Sequence, residues 1–348
     1  MRNGSAPKRS ATLVDIARHA RVSKSTASRV LNGSSASPAT RARVLAAIDA
    51  LGYRVNTAAR SLRTTRSALV GLLVPAINHA VFAEIAERLD RELHDQGVTL
   101  AITSSGWDEE AEIRALDTLT ARGVDVLVLA LSNDRSPRIA RYLKAIACPI
   151  VLLDREVRGL AADAVLTDHR SGTVQADEHL GAGGHRRIGL LHVPLVVRPG
   201  REALASYREA VQRAGLVDDP ALTVGSNGAA PEAVRRAVAG LLAAGATAVV
   251  IGGATSAVGA VLLHLEEAGL RVPEDVSLIA YDDIPLATLK RPRLTTIARP
   301  IEEIGRHASH LAVMRLGQPD ATPRIKLVRT RLEVRESTIP AGTTAGRV

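Results

Sequence analysis

Apolar residues recur at helical spacing through the first fifth of the chain. Leu13, Ile16, Ala17 and Ala20 fall on one face of a predicted helix from Leu13 to about Ala20, which Thr12 can cap. Ser23 is a good N-cap for a second helix from Lys24 to Leu31. There Ala27, Val30 and Leu31 point one way, while Lys24, Ser25, Ser28 and Arg29 take the opposite face. Asn32-Gly33 stops this helix, and Ser37-Pro38 starts a third with Ser as N-cap and Pro at its first position. Val44, Leu45, Ile48 and Leu51 form the expected buried stripe of that helix, and Gly52 ends it.

From residue 67 the pattern changes to apolar runs alternating with amphipathic stretches. Strands are predicted at 68–74, 98–103, 124–131, 150–153, 188–193, 248–252 and 276–281. Helices are predicted near 81–95, 108–121, 137–146, 171–180, 202–214, 231–243 and 256–267. Strands apolar on both faces between helices imply parallel sheets with crossovers. Two runs of about 100 residues imply two similar α/β subdomains, with ligands outside the strands' carboxyl ends.

Charge sharpens this division. Residues 1–66 hold thirteen Lys and Arg against two acids, whereas residues 67–348 hold 32 basic and 34 acidic residues. The net charge of +9 therefore resides in the first module, the electrostatic footprint of nucleic-acid binding. Only five of the basic residues are Lys against forty Arg, a compositional bias that makes most individual arginines uninformative. Aromatics are 2%, which argues against aromatic base-stacking platforms. The single Cys148, preceding a Pro, excludes an intrachain disulfide framework and Cys-rich zinc sites, and reads as core packing. No apolar run reaches membrane-spanning length, and the basic N-terminus lacks the apolar segment of a secretory signal, so a cytoplasmic location is expected.

Two short helices joined by a tight turn and braced by a third make a helix-turn-helix unit. Arg29 has the reach to grip a guanine, and Lys24 and Ser25 stand near the helix start, where base contacts are usual. From pattern alone, a small three-helix bundle with an ordinary charged surface is the alternative.

The stretch TLVDIARHARVSKSTASRVLNGSSASPATRARVLAAIDALGYRVNTAARSLRTTRS resembles the DNA-binding headpiece of the lactose-repressor (LacI/GalR) family of bacterial transcription regulators. The resemblance implies that Lys24, Ser25 and Arg29 read bases, with Thr12, Thr26, Ser28, Asn32, Tyr53 and Asn56 also on the DNA-facing surface. It further implies a hinge helix in NTAARSL, residues 56–62, too short to be stable alone, that folds on DNA and wedges Leu62 into the central minor-groove step beside Ala59 and Arg60. Read without the resemblance, this segment is a flexible linker. Arg21 departs from the family's usual Gly in the turn; Gly there eases a positive φ, so Arg carries some strain but suits a phosphate contact.

The phrases "ALVGLLVP", "GVDVLVL", "PIVLLDR", "HLGAGGHRRIGLL" and "GLRVPEDVSLIAYDD" resemble the same family's core, which has the periplasmic sugar-binding protein fold. The fold class expected is thus a small all-α headpiece plus an α/β core of two doubly wound parallel-sheet subdomains. Crossings between subdomains are expected near 155–168, 293–300 and 320–328. The expected organisation is a tail at 1–11, the DNA-binding domain at 12–55, hinge and linker at 56–66, the core at 67–339 and a tail at 340–348. The first subdomain is expected over about 67–160 plus 299–325, the second over about 161–298 plus 326–339. By position, the resemblance assigns effector contacts to His79, Phe82, Asp154, Arg201, Thr255 and Asp282. Two positions depart: Ala203 stands where the family usually has Arg, and Gly253-Ala254 where it often has Asn-Asp. These departures remove much of the usual polyol-binding chemistry, leaving open a sugar-like effector, another metabolite or none.

No nucleophile elbow and no metal-spaced histidine pattern is found, and "GAGGH" at 181–185 reads as a helix stop instead of a phosphate cradle. No enzyme activity, cofactor or metal is expected. The resemblance implies a homodimeric regulator, more a repressor than an activator, that is expected to bind a pseudo-palindromic operator and a small-molecule effector, sugar-like or another metabolite, with no membrane partner. The alternatives are a cytoplasmic small-molecule binder without a specific operator and an effector-independent repressor.

Overall fold

The computed structural model describes residues 11–31, 35–53, 67–226, 230–253 and 255–340. It divides into one unit ending at Ser67 and another starting at Ala68.

The first unit holds helices α1 (Leu13–His19), α2 (Lys24–Leu31) and α3 (Pro38–Leu51). Thr12 and Asp15 make a reciprocal capping box: the Asp15 N–H donates to the Thr12 hydroxyl and the Thr12 N–H to the Asp15 carboxylate. The Thr26 N–H donates to the Ser23 hydroxyl at 3.1 Å, capping α2. Ser37 caps α3 with Pro38 behind it, and Gly52 closes it at φ 57°. Ile16, Ala17, Ala20, Ala27, Val30, Val44 and Ala47 are the buried core; its many alanines let the helices approach closely. Leu45 is not part of the stripe and is exposed. Ala47 takes its place, because 44, 47, 48 and 51 share a face at 3.6 residues per turn and 45 lies off it. Between α1 and α2, Arg21 sits at φ 53°.

In the second unit, β1 (Leu69–Val74), β2 (Thr99–Ser104), β3 (Val126–Leu129), β4 (Ile150–Leu153), β5 (Asp163–Asp168) and β11 (Ile325–Arg329) form one sheet. Its order is β11-β5-β4-β3-β1-β2 and every pairing is parallel. Helices α4 (Ala80–Asp95), α5 (Glu109–Ala121) and α6 (Pro137–Ala145) cross over between its strands. After α7 (His169–Ala182) the second sheet begins with β6 (Ile188–His192), α8 (Arg198–Ala214), β7 (Thr223–Gly225) and α9 (Pro231–Ala243). It continues through β8 (Ala248–Gly252), α10 (Ala257–Glu267), β9 (Ser277–Tyr281), α11 (Pro285–Leu289) and β10 (Thr295–Ala298), and β12 (Arg331–Glu333) closes it. The order is β12-β10-β9-β8-β6-β7, with only β12 antiparallel. Each sheet is buried on both faces by apolar clusters.

Helix α12 (Ile301–Gly317) returns to the first sheet and packs along α4 through Ile304, Ala308, Leu311 and Ala312. Gly305 makes this approach possible: a Cβ there would lie 2.9 Å from the Arg88 Cβ. The chain thus crosses after Asp168, between Ala298 and Ile301, and between Arg329 and Arg331. The crossings fall at the ends of the expected windows 155–168 and 293–300 and just past 320–328, so the subdomain bounds lie later than 160/161 and 325/326. Residues 163–168 continue the first sheet, with Leu152 beside Ala164, and residues 325–329 extend it, with Leu327 beside Leu166. Gly183 and Gly184 terminate α7, and Cys148 packs beside the first sheet, where burial pushes its thiol up to about 11.

Candidate functional site

The α2 surface is built from hydroxyl and cationic side chains on a helix whose opposite face is sealed by Ala27 and Val30. Lys24, Ser25 and Arg29 are exposed, while Thr26 and Ser28 are half-buried. Arg29 lies over the helix with Nη2 3.4 Å from the Thr26 hydroxyl, and Ser25 shares a 2.8 Å bond with Ser23. Thr12 is exposed at the start of α1, its hydroxyl engaged by Asp15, and Tyr53 packs half-buried on the headpiece core. Asn32, Asn56, Ala59, Arg60 and Leu62 lie outside the described residues.

The cleft is built at the carboxyl ends of the two sheets. Strands β4 and β9 both end on aspartates, Asp154 and Asp282, in the left-handed region at φ 53° and 66°. Asp tolerates this conformation better than most residues, and such strain collects at functional positions. Each aspartate's N–H bonds the adjacent strand: Asp154 to the Val165 carbonyl at 2.8 Å, Asp282 to that of Ile297 at 3.0 Å.

Four donors converge on Asp154. One oxygen takes the Thr167 N–H and Arg198 Nη1, both at 3.1 Å; the other faces His169 Nε2 at 2.7 Å and Arg299 Nη1 at 3.5 Å. Burial alone would raise this carboxyl, but His169 and the Arg299 and Arg198 guanidiniums hold it well below the usual range. His169 also pairs through Nδ1 with the Tyr281 hydroxyl, whose own titration burial pushes well up.

Asp282 is fully buried and accepts from Arg299 Nε at 2.5 Å, Arg299 Nη2 at 2.8 Å and the Thr255 hydroxyl. Arg299 therefore grips one strand-end carboxylate in a fork and approaches the other, joining the two sheets. Burial lowers its own proton affinity, but Asp282 reverses this and raises it overall. At the start of α8, the Arg198 N–H donates to Asp134 at 2.9 Å, and Arg201 adds two bonds to the same carboxylate at 2.7 and 3.3 Å. The second subdomain thus holds the first through Asp134 and Asp154.

Between them lies a narrow cavity of about 50 Å³, room for a few waters and not for a sugar ring. His79, Phe82 and Asp154 line it, joined by Trp107, Arg155, Arg299, Val193, Val197 and Pro199. The other expected contacts do not line it. Asp282 is engaged by Arg299, Thr255 is bonded to Asp282, and Arg201 lines a broader hollow beside Asp134. Burial, then Arg299, lowers the His79 pKa. Trp107, Arg155, Arg198 and Arg299 were absent from the sequence expectations. The signal available for Trp107 was its being the single tryptophan.

Comparison with known proteins decides the family. The model of bacterial regulatory proteins, lacI family, matches residues 12–56, and the periplasmic binding protein-like domain matches residues 178–338. The HTH-type transcriptional repressor PurR of Escherichia coli O139:H28 is 34% identical over 332 residues, 94% of this chain and 96% of PurR. The chain belongs to the lacI family of bacterial regulatory proteins. This lacI-family protein is a transcriptional regulator and not an enzyme. The Lac repressor dimer bound to operator and the anti-inducer ONPF superposes with TM-score 0.82 at 26% identity, covering 95% of this chain and all of that one. The transcriptional regulator CelR in complex with cellobiose gives TM-score 0.71 at 31% identity, covering 94% and 99%. Among the described residues of this regulator, no helix is long and apolar enough to cross a membrane, and no cluster of three or more His, Cys, Asp or Glu is placed to hold a metal.

Proposed function

We propose that this regulator is a cytoplasmic homodimeric repressor that reads a pseudo-palindromic operator with α2 and responds to a small molecule in the cleft. The observation that carries the reading is the row Lys24, Ser25 and Arg29, exposed on a helix whose opposite face is sealed by Ala27 and Val30. Arg29 grips a guanine edge, Lys24 and Ser25 contact bases near the helix start, and Thr12, Thr26, Ser28, Asn32, Tyr53 and Asn56 position the headpiece. Leu62 is the minor-groove wedge, flanked by Ala59 and Arg60. Dimerisation is supported by apolar side chains left exposed on each subdomain, Ile102 on the first and Leu263, Leu286 and Leu289 on the second. Within the cleft, His79, Phe82 and Asp154 meet the effector. Arg201, Thr255 and Asp282 act behind them by holding the wall.

Effector binding shifts operator affinity to the extent that it favours one arrangement of the subdomains. The test is selection of bound duplexes from a random DNA library by the full-length protein at near-physiological salt, with and without a metabolite pool. The expected result is an enriched palindrome of about 14–20 bp. Binding without enrichment in either condition, with steep salt dependence, would leave a non-specific DNA binder.

A further inference from the structure

Hydrogen-bonding capacity in the cleft is unevenly spent. A carboxylate offers about four lone-pair sites. On Asp154 four donors face those sites, and on Asp282 three are taken while the residue is fully buried. Neither has much acceptor capacity left for a sugar hydroxyl. Donors, in contrast, remain. Arg155 gives Nε to the Leu131 carbonyl and Nη1 to the Asp154 carbonyl, with no carboxylate bonded to it. The Nε of Arg198 is also buried without a hydrogen-bond partner, 3.6 Å from Glu156; the Nδ1 of His79 is buried and unpartnered too, a donor or an acceptor according to its tautomer. Of the charged groups lining the cavity, two are cations, Arg155 and Arg299, and one is an acid, Asp154.

We propose that the effector carries a carboxylate or phosphate group received by Arg155 and Arg299, with its remaining body against Phe82, Trp107 and Val197. The proposal rests on the reading of this cleft as the effector site. The guanidinium of Arg299 covers the aspartate that the family pattern assigns to ligand hydroxyls, so the wall is met by an acceptor-bearing group. Guanidinium and carboxylate or phosphate match in geometry and charge, which a neutral hydroxyl does not. Because the cavity holds only about 50 Å³, entry requires the subdomains to part along the Arg201–Asp134 seam.

Titration calorimetry of the full-length protein compares D-glucuronate with D-glucose and D-ribose 5-phosphate with D-ribose. Trp107, the single tryptophan, reports by its emission whether binding is in the cleft. At least one charged probe is expected to bind about tenfold or more tighter than its uncharged parent and to shift Trp107 emission. Arg299→Gln should abolish that preference and release Asp282 for the uncharged sugar; Arg155→Gln, which breaks no carboxylate pair, should weaken the charged probe alone. An uncharged parent that binds as well and shifts Trp107 overturns the anionic class but keeps the cleft as the effector site. Failure of both charged probes at about 10 mM, or indifference to both substitutions, also overturns it. Charged-probe binding that leaves Trp107 unchanged removes the effector-site reading itself.

Discussion

The recognition helix and the cleft use polar side chains in opposite ways. On α2, Lys24, Ser25 and Arg29 stand in solvent on a helix, so residue type and helical phase together say what they can touch. In the cleft, Asp134, Asp282, Arg155 and Arg198 are buried, and their meaning depends on which partner tertiary structure brings. Exposed chemistry is a property of the segment; buried chemistry is a property of the pairing. Stability should therefore respond to charge removal in the cleft, and DNA affinity to charge removal on α2.

The largest effect is expected from Asp154→Ala, which leaves Arg299 with one carboxylate and Arg198 with only the more distant Glu156, and removes the acceptor facing His169. Breaking a buried pair in this way costs about 3–5 kcal/mol. Because the carboxyl is held low in the folded state, its contribution is complete above about pH 4 and fades as pH falls below that. Urea unfolding of the core at pH 7 and pH 3.5 reads both points. A loss under about 1 kcal/mol at pH 7 would mean the cleft charges are as independent as those on α2.

Glu112 tests the same contrast with the opposite sign. It is fully buried, with one oxygen on the Ser132 N–H at 2.8 Å and the other without a partner. Burial raises it from 4.5 to about 7. A raised folded value means stability is fully present below the unfolded value and is lost as pH rises through about 7. Glu112→Gln keeps the acceptor and removes that loss, so it should stabilise the core by up to about 3 kcal/mol at pH 8 and by little at pH 4.5. An equal effect at both pH values would show that the carboxyl finds water or a cation. On α2, Arg29→Ala should leave unfolding unchanged, weaken operator binding by about 1–3 kcal/mol and relax preference at one base pair per half-site. Binding curves against single-base operator variants measure this. Uniform weakening across all variants would make Arg29 a phosphate contact instead.

This contrast also explains what could be read before folding. The headpiece helices and most core strands follow their hydrophobic periods, so their boundaries fall within a few residues of those found. Strands β5, β7, β10, β11 and β12 and helices α11 and α12 were not predicted. Ile325–Arg329 is an edge strand with only Val328 buried, so its pattern lacks a continuous apolar run. The buried face of α12 includes Gly305, Ala308, Ser309 and Ala312, small residues that give little hydrophobic contrast. Asp154 and Asp282 were legible as strand-end carboxylates. That Arg299 would occupy Asp282 was not, since the pairing depends on the return of the chain after β10.

The smallest effect expected concerns Arg21, where the two regions' logic meets. Its φ of 53° is a left-handed conformation that costs a side-chain-bearing residue about 1–2 kcal/mol, and Gly relieves this while adding about 0.5–1 kcal/mol of chain entropy. Arg21 is exposed and its N–H bonds the Arg18 carbonyl at 3.2 Å, a bond that Gly can keep. Arg21→Gly should therefore slow hydrogen exchange at the Ala20 and Val22 amides by the equivalent of about 0.5–1 kcal/mol. Where Arg21 meets a phosphate, Arg21→Gly leaves one cation fewer on DNA, and the slope of log affinity against log salt should fall by about one unit per headpiece. Gain in headpiece stability without change in salt slope would mean the turn tolerates strain for no contact. A reduced slope without the stability gain would mean that the turn was never strained and that Arg21 acts through its charge alone.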